Sequence, residues 1–411
     1  MSTHDLLIDA DGHILEPPDL WERYLEPKYR DRAIRIRTGS DGMEFLEVDG
    51  KRAKLTSAAL LHSLGGMAKL MQMGGAVEQL NAATREKVKA RVAKGIEGAK
   101  PFDLGADHRN PSDTYLSGCA PGAMDLKERL EILENENMDH AVIYPTLGLL
   151  WEAEVFDPEI TSAYCRAYNR WIAEFCAGSR GRLVPIAHIS LGDPVEAARE
   201  LERAVKEGCK GSFVAPYTIT RKPHGHPDHD VFFAAAQDLD VPVGIHPELE
   251  PVELGVHGRF EGMEWADWYY DLFAAQGVPQ AFATLFQYGV FDRFPRLRVV
   301  VLESGAGWIG YWLDRADAIY RRTALGGTVQ LKERPSYYFK RQCYISADPD
   351  ERSIAAMTKL VGEDRFFWAS DYPHPDHPGN YLGELQGLVD GMTPKASAGI
   401  LGRNVAECYR L

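Results

Sequence analysis

Eight short, near-continuous apolar runs punctuate this chain, and nearly every one is followed by a stretch of helical periodicity. The runs are Leu6–His13, His140–Thr146, Leu183–Ile189, Cys209–Pro216, Val241–Pro247, Arg298–Gly305, Gln342–Asp348 and Phe366–His374. Strands that are apolar without alternation suit a parallel sheet covered on both faces. Helical patterns follow at Asp125–Met138, Pro158–Ala177, Asp193–Lys206, Asp230–Leu239, Trp265–Tyr288, Trp308–Tyr320, Glu351–Leu360 and Asn380–Leu388. Asp193-Pro194 supplies an N-cap with proline at the first helical position. Eight strand–helix repeats predict an α/β fold, a (β/α)8 TIM barrel. An open doubly wound sheet would need a Gly-rich phosphate loop after its first strand, and the sequence has none.

The spacing of the repeats is uneven. More than 120 residues separate His13 from His140, far more than one strand–helix unit uses. The 411 residues are therefore expected to form a single barrel over 1–411, with a long insertion after the first strand at 20–120. That insertion serves as a lid or an oligomer contact. It contains a hairpin expected to turn at Asp49-Gly50, a Met/Gly-rich piece at His62–Gln79 and a basic helix near Arg85–Lys94. Met67, Met71 and Met73 suggest an adaptable apolar lid, but simple core packing is the preferred reading.

Forty-six Lys and Arg against 60 Asp and Glu give a formal charge of −14, which disfavours nucleic acid as a partner. No apolar run is long enough to span a membrane, and the first residues lack a signal-peptide pattern. The six cysteines form no C-x-x-C pair and read as reduced, buried thiols. A cytoplasmic enzyme acting on a small molecule is expected.

In such a barrel, chemistry gathers at the C-terminal ends of the strands. Asp11 and His13 end the first strand, His188 the third, His246 the fifth, Glu303 the sixth and Asp371 the eighth, with His374 just beyond. Successive strand side chains alternate faces, so Asp11 and His13 point the same way and Asp9 shares that parity. Imidazoles and carboxylates are costly to bury unless paired or metal-bound, so their recurrence at one end of the barrel points to a metal site. His229, His374 and Trp308 are candidates for substrate contact. The His224–His229 loop also reads as an ordinary solvated turn, and Trp265–Tyr270 as a helix packing its apolar face.

At these residues the chain resembles the amidohydrolase-related family of metal-dependent barrels, which includes aminocarboxymuconate-semialdehyde decarboxylase, resorcylate decarboxylases and hydrolases. The resemblance rests on Ile8–Pro17 (IDADGHILEP), His246–Glu248 (HPE), Trp308–Arg315 (WIGYWLDR), Ala369–His374 (ASDYPH) and Ile400–Tyr409 (ILGRNVAECY). It implies metal ligands at Asp11, His13, His188 and Asp371. It also implies a second-metal ligand or proton-moving base at His246, and a proton-handling role for Asp371. Homodimers are common in such a family.

Two positions depart from the family pattern. Asp11 stands where the first strand more often has histidine, and Glu303 where the sixth often does. Carboxylates favour harder metals, so iron or manganese joins zinc as a candidate. Asp11, Glu303 and Asp371 bring three negative charges, enough for one divalent ion or a dinuclear pair. Three chemistries follow. The first is hydrolysis of an amide, ester or thioester-type bond in a partly apolar carboxylate, with His246 and Asp371 catalytic. The second is non-oxidative decarboxylation. The third is oxygen activation at a dinuclear iron or iron–manganese centre. A catalytically idle partner subunit is the remaining alternative.

Overall fold

In a computed structural model of the chain, the structure describes residues 6–67, 111, 113–256, 269, 272–322, 331–375 and 380–411. The eight apolar runs form the eight strands of one parallel sheet: β1 (Ile8–Ile14), β5 (His140–Pro145), β6 (Leu183–His188), β7 (Gly211–Val214), β8 (Val243–Ile245), β9 (Val299–Val301), β10 (Cys343–Ala347) and β11 (Phe366–Trp368). Each pairs with its sequence neighbour in the sheet. Backbone bonds from Asp371 N to Asp11 O (2.9 Å) and from His13 N to Tyr372 O (2.8 Å) join the segment after β11 to β1 and close the barrel.

Two apolar layers explain the unbroken patterning. Ile8, Ala10, Tyr144, Ile186, Phe213 and Val300, among others, fill the barrel interior, together with Val405, Cys408 and Tyr409 of the C-terminal helix Asn404–Tyr409. The Tyr144 and Tyr409 hydroxyls meet at 2.9 Å. A larger layer packs the outer strand faces against the helices. Asp193 caps the helix Pro194–Glu207 by accepting from Val195 N and Glu196 N. All six cysteines are buried. Among the described residues no helix is long and apolar enough to cross a membrane.

The described part of the segment after β1 forms an antiparallel sheet, β2 (Arg35–Thr38), β3 (Glu44–Val48) and β4 (Lys51–Arg52). Asp49 (φ 53°) and Gly50 (φ 70°) make the expected turn, with both residues in the left-handed region that a two-residue hairpin requires. The periodicity did not reveal β2, whose residues are exposed or half-buried. This segment is tied to the helix Pro158–Ala177 by Tyr24–Glu174, Lys28–Glu159 and Arg166–Glu26. Met67 is buried. Met71, Met73, the basic helix near Arg85–Lys94, and Trp265–Tyr270 apart from Tyr269 lie outside the described residues.

Candidate metal centre

β1 supplies two donors through an irregularity. Its register against β5 shifts between Asp9 and Gly12, so the simple alternation expected for Asp9, Asp11 and His13 does not hold. Ile8 and Ala10 face the barrel interior. The Asp9 carboxylate accepts from Ser370 N (2.9 Å) and Ser370 Oγ (2.6 Å). A Cβ at position 12 would come within 2.7 Å of Asp9 Oδ2, so glycine there makes room for that carboxylate. Beyond the shift, Asp11 and His13 reach the barrel mouth.

The two imidazoles are oriented from behind. His13 Nδ1 lies 2.6 Å from Pro145 O and His246 Nδ1 lies 2.7 Å from Pro247 O. Each carbonyl accepts from Nδ1–H, which leaves Nε2 as the inward donor atom. His13 Nε2 is 3.4 Å from Asp11 Oδ1, 3.5 Å from Glu303 Oε2 and 3.1 Å from Asp371 Oδ1. His246 Nε2 is 3.5 Å from Asp11 Oδ2 and 3.0 Å from Glu303 Oε2.

These spacings fit a cation. Donors about 2.1 Å from one ion lie about 3.0 to 3.4 Å from their neighbours in octahedral or tetrahedral arrangements. Both Asp11 oxygens, His13 Nε2, His246 Nε2 and Glu303 Oε2 are buried without a hydrogen-bond partner, a costly condition that a bound ion relieves. The electrostatics agree. Burial lowers the basicity of His246, but the Asp11 and Glu303 charges outweigh it and raise the imidazole to about 10. Burial likewise opposes charge on His13, yet Asp371 and Glu303 hold it well above the usual range. Burial pushes Glu303 up, but the His246 charge prevails and holds it well below the carboxylate range. A field that favours protons on two buried imidazoles also favours a divalent cation in their place.

Two donors sit on strained backbone. Glu303 has φ 40° and Asp371 has φ 51°, values that cost non-glycine residues of order 1–3 kcal/mol and cluster at functional sites. Ser346 Oγ accepts from Glu303 N at 3.0 Å, and Asp371 N donates to Asp11 O. The loop after Glu303 is held by Glu351, which accepts from Ala306 N (2.7 Å) and Gly307 N (2.9 Å).

Burial pushes the Glu351 carboxyl from 4.5 to about 7. Its contribution to stability is therefore fully present below about pH 4.5 and is lost as pH rises through about 7. The difference amounts to about 3 kcal/mol. In Glu351→Gln that dependence is expected to vanish. Urea melts at both ends of the range check this, and a wild-type-minus-variant gap that stays constant with pH would contradict it.

The remaining expected residues divide. His374 joins the centre: Nδ1 is 3.0 Å from Asp371 Oδ1, Nε2 is 3.0 Å from Thr146 Oγ1, and the ring stacks on His13 at 4.0 Å. Trp308 is half-buried and donates to Ser304 O at 3.1 Å, one residue from Glu303. His229 is buried, with Nδ1 2.9 Å from His224 O, and belongs to none of the donor clusters among the described residues. His188 is not brought to this centre. Its Nε2 faces Glu152 and Glu248, and Phe213 stacks on its ring at 4.5 Å.

Sequence reasoning passed over Glu152, Glu248, Asp9 and Thr146 as working residues. Glu248 stands inside the HPE motif, so its signal was present. Glu152 lies in a short turn after β5, where nothing in the periodicity distinguishes it.

The profile of the Amidohydrolase family matches residues 129–411. Decarboxylase orsB from Emericella nidulans is 31% identical over 264 residues, spanning 60% of this chain and 73% of that protein. Gamma-resorcylate decarboxylase from Rhizobium sp. is 27% identical over 231 residues, spanning 53% and 68% respectively. Among solved structures, an amidohydrolase from Mycobacterium avium subsp. paratuberculosis K-10 superposes with a TM-score of 0.77 at 19% identity, covering 99% of this chain and 100% of that one.

Proposed function

Because the chain belongs to the amidohydrolase family, we propose that it is a metal-dependent, non-oxidative decarboxylase of small hydroxyaryl carboxylates. The carrying observation is that the two sequence relatives described above are named decarboxylases. It reverses the order expected from the sequence, where hydrolysis stood first and decarboxylation second.

Asp11, His13, His246, Glu303 and Asp371 are the residues that would hold the metal. When bound, a divalent ion supplies positive charge for the substrate carboxylate and a neighbouring oxygen. The carboxylate-rich donor set favours manganese or iron over zinc.

The chain's own residues would handle the proton. Decarboxylation breaks the bond between ring carbon and carboxylate, releases carbon dioxide and needs one proton at that ring carbon. Asp371 would deliver it. His374 would hold and replenish the proton through the Nδ1 contact, with Thr146 fixing the far side of the imidazole. Glu303 would orient a hydroxyl of the substrate. Trp308 would line the mouth. The 20–120 insertion would cover it or form a dimer contact.

The test is a panel assay on protein purified without chelators and reconstituted separately with Mn²⁺, Fe²⁺ and Zn²⁺. Hydroxybenzoates with a hydroxyl beside the carboxylate are offered next to aryl esters and amides, with carbon dioxide and dissolved oxygen followed together. Carbon dioxide release without oxygen uptake is expected. Ester or amide cleavage, or oxygen consumption, without carbon dioxide release would overturn the reading.

A further inference from the structure

The described residues hold a second donor cluster that the proposed reaction does not use. Glu152 follows β5, His188 ends β6 and Glu248 follows β8, and all three side chains are buried. One ligand atom from each lies within 4.8 Å of the other two. His188 Nε2 is 3.3 Å from Glu152 Oε2 and 3.4 Å from Glu248 Oε1. An ion about 2.1 Å from its donors sets tetrahedral neighbours about 3.4 Å apart.

The cluster is built for a ligand. Both oxygens of Glu248 are buried without a hydrogen-bond partner, and Oε1 faces His188 at 3.4 Å. Ser190 Oγ donates to Glu152 Oε1 at 2.6 Å, which leaves Oε2 toward the imidazole. His188 is fixed at its backbone: its N–H donates to Asn169 Oδ1 at 2.8 Å and its carbonyl accepts from Asn169 Nδ2 at 3.0 Å. Among the described residues, neither carboxylate pairs with a lysine or arginine. Two buried carboxylates with one imidazole carry a charge of −2 when the ring is neutral, and a divalent cation cancels it.

We propose that Glu152, His188 and Glu248 form a second, separate divalent-metal site that ties together the loops after β5, β6 and β8. Its donors, two oxygens and one nitrogen, suit Mn²⁺, Fe²⁺ or Zn²⁺. Glu248 lies two residues after His246, so an ion there anchors the segment that carries one imidazole of the first centre. The Leu249 N bond to Leu149 O at 3.0 Å already joins two of these loops. The site acts by positioning and touches no substrate. It stands independently of the proposed reaction.

The experiment is titration of chelator-dialysed full-length protein with Mn²⁺, reading bound ions per chain from the loss of the free-Mn²⁺ EPR signal. Wild type is expected to bind two ions, and E152Q/E248Q and D11N/H246N one each. Mn²⁺ is also expected to raise the melting temperature of D11N/H246N. If E152Q/E248Q does not fold, D11N/H246N decides alone. No Mn²⁺ bound by D11N/H246N, or two ions retained by folded E152Q/E248Q, would overturn the second site. A single wild-type ion lost only in E152Q/E248Q would leave this site standing and remove the first centre instead.

Discussion

Replacing Asp371 by alanine is expected to lower kcat by about 10²–10⁴-fold, the range for loss of a positioned acid or base. Asp371 Oδ1 stands 3.1 Å from His13 Nε2 and 3.0 Å from His374 Nδ1, so the substitution would remove both a proposed metal donor and the proposed proton carrier. Its backbone, at φ 51°, is held by Asp371 N to Asp11 O and by His374 N to Asp371 O, which do not involve the side chain. The fold is therefore expected to survive, and a circular-dichroism melt separates lost chemistry from lost structure. His374→Ala should reduce kcat less and shift the pH–rate profile, because Asp371 remains while its proton source is gone. Full activity in Asp371→Ala would refute the site.

The barrel was legible because burial on both faces writes itself into the sequence as unbroken apolar runs. All eight became strands of one sheet. β2 was not legible, since Arg35–Thr38 is exposed or half-buried and carries no apolar pattern. The site was read from chemistry-bearing residues at strand ends, and this brought in Asp11, His13, His246, Glu303, Asp371 and His374. The same rule misplaced His188. A strand end fixes which end of the barrel a side chain occupies, but not which neighbours it meets. His188 meets Glu152 and Glu248, residues outside the strands, and only the folded loops bring those in. The β1 irregularity was hidden for a related reason. Parity arguments assume an even register, whereas the shift between Asp9 and Gly12 depends on pairing with β5 and on the Asp9 contact to Ser370.

That contact makes Asp9 the residue whose loss should damage both stability and activity. Its carboxylate spans the barrel seam, accepting from Ser370 N and Ser370 Oγ, and Asp11 N lies 3.3 Å from Oδ1. Asp9→Ala strands these donors in a buried site. Unsatisfied buried groups cost about 1–3 kcal/mol each, so a loss of about 3 kcal/mol is expected even after partial relaxation. The damage should not stop at stability. Ser370 precedes Asp371, and the bond from Asp371 N to Asp11 O crosses the same seam, so loosening it would displace proposed donors at both edges of the candidate metal centre. Asp9→Asn keeps an acceptor for Ser370 and should retain most of the stability. Melting curves and Mn²⁺ affinity measured on the same three proteins check the argument. Weakened metal binding should accompany the lowered melting temperature in Asp9→Ala and be largely spared in Asp9→Asn. If Asp9→Ala melts like wild type, the seam is held by the backbone bonds alone and Asp9 has no such role.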